Sequence, residues 1–178
     1  MPTVVNHVKG MYENKGTTVN KFGLDQSGLV SYQFNQQGFR SDVDYNFAPE
    51  QAFFGCSYTF GIGVPLAQVF TSAFPGSHNY GLAGDYNDDD TAQIIEKFTL
   101  SDVYHTKLPC VVIWKKKSEL AKHWVGQNFW HFFCGDVLPH VNCYKVIPNQ
   151  DIDVSKTHAG PATHALMSKI ICQCLSRL

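Results

Sequence analysis

The sequence is short of charge. Its 178 residues carry 14 Lys and Arg against 15 Asp and Glu, a formal net charge of -1, and charged residues make up only 16% of the chain. The longest basic run, Lys115-Lys116-Lys117, reads as a solvated loop or helix start. Without a basic face there is no electrostatic basis for nucleic-acid binding. No apolar run approaches the roughly 20 residues that cross a bilayer, so no membrane partner is expected. The N-terminus, MPTVVNHVKG, lacks the charged-then-apolar pattern of a secretion signal, which points to the cytoplasm. No CxxC pair occurs among the cysteines at 56, 110, 134, 143, 172 and 174, and Cys172 and Cys174 lie too close along one helix to share a metal. The thiols read as small hydrophobes in a reducing interior. His123, His131 and His140, with Cys134 between, are spaced by eight and nine residues, which matches no common metal motif. Neither a metal nor a cofactor is expected.

What is present is apolar and aromatic. Hydrophobic residues make up 44% and aromatics 13%, enough for a real core in a chain of this length. No repeat or low-complexity linker divides it, so residues 1–178 read as one domain. Residues 1–28 are polar and punctuated by glycine, and read as an N-terminal arm or short strands.

Strand signals fall at "LVSYQF" (29–34), "QAFFGC" (51–56), "SHNYG" (77–81), "PCVVIW" (109–114) and "NCYKVI" (142–147). Helical signals alternate with them. Pro65 opens "PLAQVFTSAF" where proline suits a first helical turn. "DDDTAQIIEKF" begins with acids that suit a helix N-terminus and sets Ile94, Ile95 and Phe98 on one side. "SELAKHWVGQNFWHFF" reads as a helix interrupted by Gly126. Pro161 starts the last helix, with Leu166, Ile170 and Cys174 running beside Met167, Ile171 and Leu175. Such alternation predicts an α/β fold, a mainly parallel sheet with helices on both faces. In such sheets chemistry gathers at the carboxyl ends of the strands, where Ser57, residues 79–81 and Trp114 fall.

In "FFGCSYTFGIG" (53–63) an apolar run breaks abruptly at a small hydroxyl between glycines. Ser57 is either an ordinary turn serine or a nucleophile on a tight bend. Three segments in order weigh toward the second. "GCSYTFG" resembles the first block of the SGNH, or GDSL-like, hydrolases, with Gly55, Ser57 and Thr59 at the matching positions. "NYGLAG" (79–84) resembles the second block, and the match falls on Gly81. "THAGPATH" (157–164) resembles the last block, with His158 at the catalytic position. "NQQGFR" (35–40) looks like an element that precedes the serine block in compact, including phage-encoded, members.

The resemblance spans about residues 33 to 177. It implies a three-layer α/β/α sandwich with a flavodoxin-like central sheet. It also implies a serine esterase or deacetylase that forms an acyl-serine on Ser57, and host cytoplasm as the location if the chain is viral. The implied partner is a small acyl ester, such as an O-acetyl group on a carbohydrate. A serine hydroxyl needs a base near neutral pH, which His158 supplies in this reading. The Ser57 and Gly81 N–H groups are the candidate oxyanion donors.

Two departures stand out. Ser155 occupies the position of the family's acid, three residues before the histidine, while Asp153 and Asp151 lie five and seven residues before it. Asp153 is the candidate acid, and without it His158 and Ser57 form a dyad. The family's third block, Gly-x-Asn-Asp, is missing after "VVIW". Asn87 is the candidate replacement for its asparagine, against the reading that it simply caps the following helix. Cys56 stands where the family's aspartate usually stands. Arg40 either positions an anionic group or pairs with a carboxylate, and His164 reads as structural. The competing function is a catalytically degenerate, SGNH-fold binding or virion-associated protein. A nucleotide-binding reading finds no dinucleotide fingerprint at "GIG".

Overall fold

The computed structural model describes residues 18–25, 28–83, 86–114, 119–124, 127–133, 143–145 and 159–177. A sheet forms where runs of apolar residues can be buried on both faces. The sheet has five strands, β3 (Ala52–Gly55), β4 (His78–Gly81), β5 (Cys110–Trp114), β6 (Phe129–Phe133) and β7 (Cys143–Lys145), of which β3, β5 and β6 are such runs. They lie in the order β4-β3-β5-β6-β7, and every pairing within this sheet is parallel. The mainly parallel α/β architecture expected from the sequence is present.

The chain leaves β3 for β4 on one side and returns to β5 on the other, so the strand order reverses around β3. Before the sheet, β1 (Thr18–Asp25) and β2 (Gly28–Gln33) form a separate antiparallel hairpin.

Successive side chains of a strand face opposite ways, and two buried clusters follow from that. On one face Ala52, Phe54, Tyr80, Val112, Trp114 and Phe129 meet α2 (Asp88–Thr99) through Ile94, Ile95 and Phe98. On the other, Phe53, Val111, Ile113, Trp130 and Phe132 meet α3 (Pro161–Leu175) through Met167, Ile171 and Cys174. Each fully buried Val, Ile or Phe contributes about 1.5–3 kcal/mol, so these clusters supply most of the driving force. The two helices expected at 88–98 and from Pro161 are both present, with the expected apolar faces inward.

Two expectations are corrected. "SELAKHWVGQNFWHFF" is not one helix. A 3-10 turn covers Glu119–Trp124, and Phe129–Phe133 is the strand β6. Its five residues include no alternating polar stripe because Phe129 and His131 serve one face while Trp130 and Phe132 serve the other. "PLAQVFTSAF" likewise splits into two 3-10 turns, Leu66–Gln68 and Phe70–Ala73, around an extended Val69. Val69 and Phe70 are both drawn into the core, Val69 in an extended conformation and Phe70 at the start of the second turn. Among the described residues no helix is long and apolar enough to cross a membrane.

Candidate functional site

The bend after β3 is built from close approach. Gly55 ends the strand with φ +144°, a conformation that side-chain-bearing residues rarely adopt. A Cβ there would lie 2.3 Å from the Ile113 carbonyl oxygen and 2.7 Å from Thr59 Oγ1. Cys56 then caps α1 (Ser57–Phe60), a single turn that begins on Ser57 and ends on Gly61 in the left-handed region. The first N–H groups of a helix have no intrahelical acceptor, so the Ser57 N–H belongs to that unfilled set by position. Thr59 is fully buried and returns its hydroxyl to the Phe54 carbonyl at 3.3 Å, which ties the turn to the strand it left.

Gly81 ends β4 in register with Gly55. A Cβ on Gly81 would stand 2.3 Å from the Phe60 nitrogen and 2.6 Å from the Thr59 carbonyl carbon. The glycine is therefore what lets α1 lie against β4. Ser57 and Gly81 are brought to the carboxyl ends of adjacent strands, as expected. The Gly81 N–H, however, is already engaged: it donates to Asn79 Oδ1 at 2.9 Å. The same side chain donates through Nδ2 to the Thr59 carbonyl at 2.8 Å and to Thr71 Oγ1 at 3.0 Å. The amide orientation is fixed by these partners, since Gly81 requires an acceptor and Thr59 a donor. Sequence reasoning missed Asn79. Its signal was a polar residue inside a strand with every position buried.

Asn87 heads the helix that follows β4. Its Oδ1 accepts the N–H groups of Asp89 and Asp90 at 2.8 and 3.1 Å, and Asp90 returns a carboxylate oxygen to the Asn87 N–H at 3.0 Å. This is a complete capping box, so the capping reading is met and only the Nδ2 group is left for any other role. His158 and Asp153 lie outside the described residues, as do Asp151 and Ser155. The same holds for His140, Cys134 and residue 84, the last of the second block.

The remaining sequence candidates have structural partners. Trp114 is fully buried and donates its indole N–H to His131 Nδ1 at 3.1 Å. His164 accepts the Phe70 N–H at 3.4 Å and stacks on that ring. Among the described residues Arg40 pairs with no anion: its guanidinium donates to the carbonyl oxygens of Phe60, Gly61 and Val64. Burial pushes the Cys110 thiol up to about 12, so it is no nucleophile at neutral pH. Among the described residues no group of three or more His, Cys, Asp or Glu is placed to hold a metal ion.

Against known proteins, no family model, no curated protein and no solved structure matches the chain. The functional reading therefore rests on the residues and their geometry.

Proposed function

We propose that the chain is a serine hydrolase of the SGNH type, built as a three-layer α/β/α sandwich and cleaving a small acyl ester through an acyl-Ser57 intermediate. The observation that carries this reading is the setting of Ser57. It is the first residue of a one-turn helix directly after the strand about which the sheet order reverses. Two residues before it, at Gly55, and at Gly81 on the adjacent strand, a Cβ would collide with backbone. In open parallel sheets such a reversal is where ligands bind, beyond the carboxyl ends of the strands. A strand order of β4-β3-β5-β6-β7, which is 2-1-3-4-5 counted within the sheet, is also that of flavodoxin-like sheets.

In the proposed reaction Ser57 Oγ attacks the acyl carbon and its proton passes to His158. The oxyanion is met by the Ser57 N–H and by a second donor. The tetrahedral intermediate collapses to the acyl-enzyme and releases the alcohol, which takes the proton from His158. Water, activated by the same imidazole, then frees the acid. Asp153 orients the imidazole if it reaches it. An O-acetylated carbohydrate is the substrate class the sequence resemblance suggests. The test is fluorophosphonate labelling and p-nitrophenyl acetate turnover on wild type, S57A, H158A and C56A. Labelling lost in S57A and retained in C56A is expected, and equal labelling of wild type and S57A would sink the reading.

One observation favours a second reading, a non-catalytic binding protein on the same fold: the Gly81 N–H is filled by Asn79. A folded wild type that neither labels nor turns over ester supports that alternative.

A further inference from the structure

The chemistry proposed above gives no role to "NQQGFR", yet this segment delivers a fully buried cation to the nucleophile bend. Asn35 closes its turn, with Oδ1 accepting the N–H groups of Gln37 and Phe39 at 3.1 and 3.0 Å. Phe34 and Arg40 are bridged across it in antiparallel fashion. Arg40 is 1% exposed. Its guanidinium lies 4.5 Å from the centre of the Tyr32 ring and 5.5 Å from that of Phe60. Nη1 donates to the Phe60 carbonyl at 3.0 Å and to that of Gly61, and Nη2 donates to the Val64 carbonyl at 2.6 Å. Burial lowers its pKa to about 10, so the group is cationic at neutral pH.

These acceptors are the last carbonyl of α1 and the loop just beyond it. A helix of four residues has almost no stability of its own, because the costly first turn is never repaid by further turns. Its internal ladder amounts to Phe60 N–H to Cys56 at 3.0 Å and Gly61 N–H to Ser57 at 2.9 Å. The exit of the turn must be held from outside. A cation at a helix C-terminus is favourable, and the planar guanidinium fork spreads its donors over three nitrogens, whereas an ammonium gathers its three N–H groups on one. An apolar side chain of that volume would fill the space without the desolvation cost of a cation, but it could not order three carbonyls.

We propose that Arg40 is a positioning residue for Ser57. Through the carbonyl oxygens of Phe60, Gly61 and Val64 it clamps the far end of the one-turn helix whose first residue is Ser57. This rests on reading Ser57 as the nucleophile, and Arg40 acts on it only through the backbone of α1.

The test uses the full chain with R40G and R40K. In folded R40G, checked by circular dichroism and cooperative melting, fluorophosphonate labelling of Ser57 is expected to fall by about 100-fold, the scale of a misplacement of about 1 Å. Added guanidinium ion in the tens of millimolar restores much of that rate, and sodium chloride at equal ionic strength does not. Should R40G not fold, R40K is read alone. It keeps charge and stem but not the fork, and it should lower kcat for p-nitrophenyl acetate with KM unchanged. Wild-type kinetics in folded R40K or R40G, or a loss in R40G that guanidinium does not reverse, overturns the proposal. Absence of labelling in wild type instead overturns the hydrolase reading. The clamp is then read by amide exchange over residues 58–62, where faster exchange in the variant sustains it and unchanged exchange overturns it.

Discussion

Asn79 folds its side chain back along its own strand so that Oδ1 accepts the N–H of Gly81 at 2.9 Å. One amide thus fills an outward backbone donor of β4 while its other end holds the Thr59 carbonyl of α1. N79A leaves both backbone groups buried without these partners. At about 1–3 kcal/mol for each orphaned group, the expected loss is at least about 2 kcal/mol. It is read as a lower urea midpoint at unchanged m. N79D keeps the acceptor for Gly81 but turns a buried carboxylate oxygen toward the Thr59 carbonyl, and should destabilise at least as much. A variant as stable as wild type would remove Asn79 as the link between β4 and α1.

Asn87 permits a clean separation of capping from catalysis. N87A loses the cap and is expected to cost about 1 kcal/mol. N87D keeps an accepting oxygen for Asp89 and Asp90 while removing the only donor that a carbonyl or oxyanion could use. It should retain most of the stability. If Nδ2 completes the oxyanion hole, ester turnover in N87D falls by about 100- to 1000-fold. Turnover at the wild-type level in a stable N87D assigns the residue to the helix alone.

His78 is fully buried, stacked on Tyr45 with ring centres 4.0 Å apart and bonded through Nδ1 to the Tyr80 hydroxyl at 3.0 Å. Burial holds its pKa down at about 3, from an ordinary 6.5. Between those values the unfolded chain binds a proton that the folded chain refuses. Stability from this residue is therefore complete above the ordinary value and declines as pH falls toward 3, by up to about 1.4 kcal/mol per pH unit. H78F keeps an aromatic ring and removes the titration. The difference in urea-unfolding free energy between wild type and H78F should shift against wild type from pH 7 to pH 4. A difference independent of pH would show that His78 protonates equally in both states.

The alternation of apolar segments and acid-headed or proline-headed helical segments is enough to see the parallel sheet, because burial on two faces leaves its mark on composition. It does not separate a strand from a buried helix within "NFWHFF", where nearly every residue is apolar in either conformation. Gly126 was the only mark of the break. Nor does it show that Val69 would be pulled out of a helix starting near Pro65, since the core that draws it in comes from β3, β5 and α3. At the site, the bend at Gly55 and Ser57 is readable because a glycine two residues before a small hydroxyl, at the end of an apolar run, is a local pattern. The engagement of Gly81 is not, because it depends on where the Asn79 side chain turns. The role of Arg40 was hidden for a related reason: sequence suggests charged partners for a cation, but backbone carbonyls carry no signature in it.

The Tyr45 hydroxyl accepts the Asn79 N–H at 2.8 Å and donates to the carbonyl of the same residue at 3.3 Å. The N–H groups of His78 and Leu82 point inward, to Gln51 and Gly55, so those of Asn79 and Gly81 are the ones that face away from the sheet. Both are taken by side chains, one by a tyrosine and one by an asparagine. An exposed strand margin is ordinarily a template on which a stray β-segment can lay itself down and start an aggregate. Here that template is erased without a bulge, a proline or a lysine. A passing strand would have to displace two buried hydrogen-bonding groups before gaining its first rung, which protects the chain on the flank beside the proposed nucleophile.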